Sequence, residues 1–179
     1  MKFTKSNNLF KNVKKIIPLG SQTFSKSYRF LPRNNTPLFI KNGQGCYFWD
    51  LDNNKFIDLV SGLLSVTIGY NINEINKDIE KQFNNGISFS LATKLEYDLA
   101  KKIIKHVPSA EMVRYAKNGS DVTTAAIRLA RKITKNTNVL FSGYHGWHDW
   151  YIGSTSMNEG IPKEIQNQAY VFEFNNFSS

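Results

Sequence analysis

The stretch from Arg114 to Trp150 constrains the fold more than any other part of the chain. It reads RYAKNGSDVTTAAIRLARKITKNTNVLFSGYHGWHDW. The partly apolar run 112–116 predicts a strand, and Asn118-Gly119-Ser120-Asp121 then supplies turn-forming and helix-starting residues. A helix is predicted from near Ser120, followed by a second strand at about 138–141. A strand, a helix and a strand over this length predict a right-handed parallel crossover.

The predicted helix start is a candidate site for an anion. The first turn of a helix has unpaired backbone N–H groups and the positive end of the helix dipole. Ser120, Thr123 and Thr124 add hydroxyl groups. An ordinary capped helix has the same composition, so spacing alone leaves both interpretations open.

The composition is that of a globular protein. The 179 residues are 41% hydrophobic and 13% aromatic, which excludes a disordered chain. The single cysteine, Cys46, rules out an internal disulfide framework and fits a reducing cytosol, so we expect a cytoplasmic protein. Cys46 is expected to be a small buried hydrophobic residue in a strand. The longest apolar stretch, 59–70, is too short to span a bilayer, and no membrane partner is expected.

The net charge of +9 is unevenly distributed. Residues 1–49 contain nine lysines or arginines and no acidic residue, whereas the rest of the chain contains fourteen of each sign. A basic segment can bind an acidic partner. Because these charges are scattered, a solvated basic face is the favoured interpretation. A non-enzymatic binding module that uses residues 1–49 remains an alternative. The aromatic loop at 144–150 is not locally basic, so no nucleic-acid partner is expected.

The first part of the chain predicts one helix and a small sheet. Apolar residues at helical spacing before Pro18 predict a short amphipathic helix. Three short strands are predicted at about 38–41, 46–51 and 56–59. Asn42-Gly43 and Asn53-Asn54 are the expected turns of this antiparallel meander.

The later part predicts helices and parallel strands. Helical spacing recurs from Ile72 to Phe83, and Asn84-Asn85-Gly86 should end that helix. A second helix is expected to open with Thr93-Lys-Leu-Glu96 as a capping box, and a last strand is predicted near 169–174. Two or three parallel strands are too few for a covered sheet. We therefore expect an α/β fold with an amino-terminal part at 1–60 and a larger domain from 61 that is incomplete at 179.

Several segments together resemble a known family. They occur in the family's order and at its spacing: PLFIKNGQGCYFWDLDNNKFIDLVSG at 37–62, ISFSLATKLE at 87–96, VPSAEMVRY at 107–115, NGSDVTTAAIRLAR at 118–131 and GYHGWHD at 143–149. This pattern is similar to the class III pyridoxal 5'-phosphate (PLP) dependent aminotransferases, most closely the glutamate-1-semialdehyde 2,1-aminomutase group. The resemblance implies the amino-terminal part of the PLP-dependent transferase fold (fold type I). It also implies a small amino or keto substrate and a homodimer when the enzyme is complete.

The resemblance assigns cofactor roles to particular residues. Gly119 and Ser120 match the positions that hold the cofactor phosphate, and Tyr144 matches the aromatic residue that covers one face of the cofactor ring. His145 follows in the same motif and is expected to line the pocket. Asp121 stands where the family usually has glutamate, and as an early helix residue it is equally interpretable as a cap.

Two segments that match the family's substrate pocket depart from the aminomutase pattern. Ser61, Gly62 and Leu63 match a segment in which the aminomutases have a tryptophan, and Lys26 lies nearest the place of a carboxylate-binding arginine. A lysine does not give the two-pronged carboxylate contact of arginine. A transaminase for another amino or keto substrate, such as one in a surface-polysaccharide pathway, is therefore the alternative to the aminomutase.

No catalytic residue is assigned in this chain. The family's Schiff-base lysine lies in a later motif that none of these lysines matches, so the isolated chain is expected to be inactive. His145 and His148 lie close together in sequence, but no accompanying cysteine or carboxylate has a familiar metal-ligand spacing beyond Asp149. We therefore predict no metal site.

Overall fold

The computed structural model describes residues 1–32 and 34–179 and contains two compact units. The first unit is Met1–Leu91 and the second is Ala92–Ser179. The predicted boundary after residue 60 lies inside the first unit, and as a division of the family's fold it stays a prediction.

The first unit opens with helix α1, Thr4–Ile16, which ends before Pro18 as predicted. The residue before it offers no side-chain cap. Instead the Asp52 carboxylate accepts hydrogen bonds from the N–H groups of Lys5, at 2.9 and 3.0 Å, and Ser6, at 3.2 Å. Since unpaired N–H groups at a helix start need acceptors, this distant carboxylate anchors α1 to the sheet that follows. After α1 the chain forms three short 3₁₀ turns, at Pro18–Gly20, Phe24–Lys26 and Tyr28–Phe30.

The predicted antiparallel meander is confirmed, with strands β1 Ile40–Gln44, β2 Tyr47–Asp50 and β3 Lys55–Ile57 in sequence order. The predicted first turn is wrong. Asn42 and Gly43 pair within β1, and the chain reverses at Gly45-Cys46, where Gly45 has φ 57°. Cys46 is therefore exposed at a turn, which corrects its expected burial in a strand. The second turn includes Asn53, as predicted, with φ 63°.

The remainder of the first unit contains one left-handed turn and one regular helix. The one-turn segment α2, Ser61–Leu64, does not have the dihedral angles of a right-handed helix at Gly62 and Leu63. Helix α3, Asn73–Asn85, ends at Gly86 with φ 98°, as predicted from its sequence.

The second unit contains two long helices that begin in the same way. In α4, Lys94–His106, the Glu96 carboxylate accepts from the Thr93 N–H at 3.0 Å, which confirms the predicted capping contact. In α5, Gly119–Thr134, the Asp121 carboxylate accepts from the Asn118 N–H at 3.0 Å. Asp121 thus has the capping position that its sequence allowed.

The parallel sheet has two strands in the described residues. β4, Val139–Phe141, pairs in parallel with β5, Ala169–Val171, and the short helices α6, Asp149–Ile152, and α7, Lys163–Gln166, lie on the connection between them. The strand predicted at 112–116 is wrong for this structure, since those residues are assigned to no strand. A strand requires a pairing partner, and the described chain places none beside this run. The predicted crossover from 112–116 to β4 is absent for the same reason.

The core of the second unit is small. Phe141, Trp150, Tyr151 and Ala169 form its buried cluster. Much of the apolar surface of α5 and β4 remains uncovered, because Leu129, Ile133 and Leu140 are 61%, 71% and 73% exposed. Exposed apolar faces such as those of α5 and β4 favour association or local unfolding. Among the described residues, no helix is both long and apolar enough to cross a membrane.

We predict that the isolated chain associates or binds a hydrophobic dye, because these apolar faces are uncovered. Leu129→Lys with Ile133→Lys should lower both the dye fluorescence and the mean mass, since both side chains point to solvent and their removal leaves no cavity. Size-exclusion chromatography with light scattering measures the mass. A monodisperse, dye-silent monomer with a cooperative melt would contradict this prediction.

Candidate functional site

The start of α5 offers backbone donors that no protein group uses. The N–H groups of Asp121 and Val122 donate to the Asn118 carbonyl at 3.2 and 3.4 Å. In the part of the chain that the structure describes, the N–H groups of Gly119 and Ser120 have no protein acceptor. A Cβ atom added to Gly119 would meet nothing within 4 Å. Two unpaired N–H groups at a helix start can bind an anion.

The aromatic loop lies directly on this helix start. The Ser120 side chain is buried, and its Oγ accepts a hydrogen bond from the Trp147 N–H at 3.3 Å. Gly146 has φ 109°, and a Cβ atom there would overlap the Ser120 side chain. Since no side chain fits in that space, glycine is required at this position. The contact fixes the loop against the first turn of α5.

Two threonines of α5 hold the rest of the loop. The Thr123 hydroxyl donates to the His145 carbonyl at 3.0 Å. The Thr124 hydroxyl oxygen accepts from the indole N–H of Trp150 at 3.0 Å and lies 2.8 Å from His148 Nδ1. A hydroxyl has one proton to donate and two lone pairs that accept, so Thr124 can bond to the indole and to Nδ1 at the same time. Either neutral tautomer of His148 satisfies this contact.

The side chain of His148 also faces the carboxylate at the helix start. Its Nε2 lies 3.7 Å from Asp121 Oδ1, which is too long for a hydrogen bond. Asp121 uses its other oxygen to accept from the Asn118 N–H. His148 thus lies between Thr124, to which it is hydrogen-bonded, and the Asp121 carboxylate of the helix cap. Sequence reasoning gave His148 and Trp150 no role in the site and missed the hydrogen bonds of both side chains to Thr124.

Tyr144 and His145 have different environments in the loop. The Tyr144 side chain is 77% exposed and packs edge-to-face with Tyr151, with ring centroids 5.6 Å apart at 82°. Most of the ring is therefore accessible for stacking. The His145 ring is half-buried between Phe141 and Trp150, and its Nε2 lies 2.8 Å from the Ser142 carbonyl. A carbonyl only accepts, so the proton of His145 is on Nε2.

The predicted substrate residues lie in the first unit. Lys26, Gly62 and Leu63 line one cleft of about 490 Å³, and Ser61 lines a second cleft of about 220 Å³. Asp58 and Tyr70 line both clefts, although sequence reasoning singled out neither. The signal that could have found Asp58 is its position before Leu59-Val60-Ser61-Gly62, since aspartate often accepts from backbone N–H groups that follow it in a turn.

Hydrogen bonding perturbs both of these groups. The Tyr70 hydroxyl donates to Asp58 Oδ2 at 2.6 Å. This bond, with those from the following backbone N–H groups, lowers the pKa of Asp58 below its ordinary 3.8. The same bond raises the pKa of Tyr70 to about 12. Asp58 is therefore ionised and Tyr70 protonated at neutral pH.

Comparisons with known proteins identify the family. The model of the class III aminotransferases matches residues 30–179. The chain belongs to the class III aminotransferase family. This confirms the resemblance found in the sequence.

Curated relatives show how much of the family's length is present. A 3-aminobutyryl-CoA aminotransferase of Cloacimonas acidaminovorans is 36% identical, over 100% of this chain and 42% of the relative. A glutamate-1-semialdehyde 2,1-aminomutase of Wigglesworthia glossinidia brevipalpis is 33% identical, over 97% of this chain and 42% of the relative. The chain thus spans about two-fifths of the length of the relatives that it matches.

Solved structures agree with the fold. A PLP form of the FumI protein of Sphingopyxis sp. MTA144 matches with a TM-score of 0.87 at 27% identity, over 97% of this chain and 41% of that one. An omega-transaminase of Sphaerobacter thermophilus matches with a TM-score of 0.84 at 22% identity, over 97% of this chain and 42% of that one. The class III chain therefore has the α/β architecture of the first part of a PLP-dependent transaminase, as predicted.

We predict that Gly146→Ala destabilises the second unit by about 2 to 5 kcal/mol, because it adds a steric clash with Ser120 to the strain of a positive φ. Gly143→Ala is the matched control. Its φ is 83°, but its Cβ atom would meet nothing within 4 Å, so the expected cost is only about 1 to 2 kcal/mol. Urea unfolding followed by tryptophan fluorescence measures both. Equal costs would mean that the contact with Ser120 does not fix the loop.

Proposed function

We propose that this class III chain provides the phosphate-binding helix and the ring-stacking residue of a PLP-dependent aminotransferase or aminomutase. The observation that carries the proposal is the pair of free N–H groups at Gly119 and Ser120, beside open space and under a loop that contains the exposed Tyr144. This geometry fits a phosphate group attached to a flat ring. PLP, when bound, acts as an electron sink for reactions at an amino-bearing carbon.

The residues of this chain would bind and orient the cofactor. The N–H groups of Gly119 and Ser120 would donate to the phosphate, where the helix dipole also favours negative charge. Tyr144 would stack on one face of the ring, which contributes about 1 kcal/mol beyond burial. His145 lies behind it against Phe141 and would support the wall of the pocket. Asp121 would keep the helix start ordered by accepting from the Asn118 N–H.

The proposed substrate is an amino or keto compound with an anionic group. Lys26 in the cleft of the first unit would provide the positive charge, and Gly62 and Leu63 would form an apolar wall, with Ser61 beside it. Because lysine makes no two-pronged carboxylate contact, the proposal favours a transaminase for another amino or keto substrate over a strict glutamate-1-semialdehyde aminomutase. A relative that matches the whole chain is named for a CoA-linked amine, which supports this preference.

We also propose a cytoplasmic homodimer for the complete enzyme. The exposed apolar side chains of α5 and β4 support an assembly that covers them. The single cysteine of the chain supports a reducing compartment.

Binding of PLP tests the cofactor site. Ser120→Ala with Gly119→Val should weaken binding at least tenfold, because valine fills the open space and alanine removes a hydroxyl donor. A Cβ atom on Gly119 would meet nothing within 4 Å, so the Cβ of the valine makes no clash within the chain. Ser156→Ala, at an exposed serine, is the control. Absorbance titration gives the dissociation constant, and an unchanged value in the double variant would remove the assignment.

The absence of an assigned catalytic lysine gives a second prediction. The chain with PLP and an amino donor should show only the slow turnover of free PLP, because no lysine of this chain matches the family's motif for the residue that bonds to the cofactor. Borohydride reduction followed by peptide mass spectrometry tests this. Stoichiometric labelling of one particular lysine would overturn it.

A further inference from the structure

The segment that forms the wall of the first-unit cleft has an unusual backbone. Ser61, Gly62, Leu63 and Leu64 have φ values of 50°, 59°, 60° and 67°. Residues with side chains adopt such angles as single residues, and seldom in a run, because Cβ approaches the following carbonyl oxygen. A run of this kind persists only where its surroundings hold it. Strained segments of this type occur most often at binding sites.

One carboxylate holds this segment. The oxygens of Asp58 accept hydrogen bonds from the N–H groups of Val60, at 2.9 Å, Ser61, at 3.0 Å, and Gly62, at 3.1 Å. The hydroxyl of Tyr70 donates to the same carboxylate at 2.6 Å. Hydrogen bonds to a charged acceptor are the stronger kind. Four donors on one side chain thus fix the entry into the left-handed turn.

Tyr70 is itself held in place by the sheet. Its N–H donates to the Gly45 carbonyl at 2.8 Å, and its carbonyl accepts from the Gly45 N–H at 2.8 Å. Gly43 lies so close that an added Cβ atom would be 2.5 Å from the Tyr70 ring. The tyrosine therefore connects the meander to Asp58, and through Asp58 to the turn.

The left-handed turn that Asp58 holds forms part of the wall of the larger cleft. Gly62 and Leu63 line the cleft of about 490 Å³ that Lys26, Asp58 and Tyr70 also line. A right-handed turn at the same place would direct the Leu63 side chain elsewhere. The shape of the cleft beside Lys26 thus depends on the hydrogen bonds of Asp58.

We propose that Asp58 and Tyr70 are positioning residues that set the shape of this cleft. By holding the left-handed turn, they present Leu63 as the residue that limits the apolar part of a ligand whose anionic group is bound by Lys26. The inference rests on the proposed function in one respect, that this cleft receives the substrate.

The ionisation of Asp58 gives a signature that packing alone would not produce. Tyr70, Lys26 and Cys46 are the other titratable residues that line its two clefts. The Tyr70 hydrogen bond favours the ionised carboxylate, so the pKa of Asp58 lies below 3.8. A carboxylate whose pKa is lowered by folding stabilises the folded state. This stabilisation is complete above the pKa of the unfolded chain and is lost as pH falls through the pKa of the folded chain. The turn should therefore loosen only in acid.

Amide NMR on the full chain tests the hold on the turn. The N–H signals of Val60, Ser61 and Gly62 should titrate together with a midpoint below 3.8, and Asp58→Asn should abolish that titration. Tyr70→Phe should move the midpoint upward, since it removes the largest cause of the shift. If the three amide signals titrate independently, or if the midpoint is unchanged in Tyr70→Phe, Asp58 and Tyr70 do not hold the turn.

Matched controls separate this effect from general damage. Asp78→Asn alters an exposed carboxylate of α3, and Tyr47→Phe removes an exposed hydroxyl of β2. Neither should change the three amide signals. If Asp58→Asn fails to fold, Tyr70→Phe still decides the question, because it removes one hydroxyl and keeps the ring.

Binding of hexanoate, a carboxylate with an apolar chain, tests the role in the cleft. Wild type should bind it with shifts at Gly62 and Leu63, Tyr70→Phe should bind about fivefold more weakly, and Leu63→Ala should gain affinity for branched carboxylates relative to hexanoate. Unchanged affinity in Tyr70→Phe would overturn the positioning role. Equal binding by wild type and Lys26→Gln would instead remove the substrate assignment of the proposed function. The role of Asp58 in holding the turn would then be decided by the amide titration alone.

Discussion

The second unit depends on the contact between Gly146 and the first turn of α5. Only a glycine allows the loop backbone to approach so closely that its neighbour Trp147 donates to the buried Ser120 hydroxyl. This contact and the hydroxyls of Thr123 and Thr124 place the whole aromatic loop. The core formed by Phe141, Trp150 and Tyr151, the exposure of Tyr144 and the open space at Gly119 all follow from where the loop lies.

Two of three groups of backbone donors in this chain bond to a protein carboxylate, and the third does not. At the start of α1, the Asp52 carboxylate accepts from the free N–H groups, and at the turn after Asp58 the carboxylate of Asp58 accepts from three more. At the start of α5, the nearest carboxylate, Asp121, bonds to Asn118 and leaves the Gly119 and Ser120 N–H groups free. Since a protein carboxylate satisfies the first two groups, they are structural. The third group has no such partner, and it is the one that suits a phosphate.

The family and the activity rest on different evidence. The family model matches residues 30–179, which are 150 of the 179 residues. Membership of the family is therefore shown for this chain. The chain nevertheless spans only about 42% of the two relatives that match almost all of it. An aminotransferase needs both a cofactor site and a residue that bonds to the cofactor, and only the first has a candidate here. The uncovered apolar faces of α5 and β4 are consistent with a fold that uses further surface to bury them.

The sequence by itself determined the local structure and the family. Periodicity and capping residues predicted α1, α3, α4 and α5, because these signals depend on neighbours a few residues apart. The family came from the resemblance of several segments, in order, to the class III aminotransferases. Prediction from the sequence failed at Asn42-Gly43 and at 112–116, where the outcome depends on which strands pair. Only the tertiary structure decided that Asp52 caps a helix 46 residues away, that Thr124 bonds to His148, and that Asp58 holds a left-handed turn with Tyr70. Such contacts join side chains that are distant in sequence, so their existence depends on the three-dimensional arrangement and leaves no periodic trace in the chain.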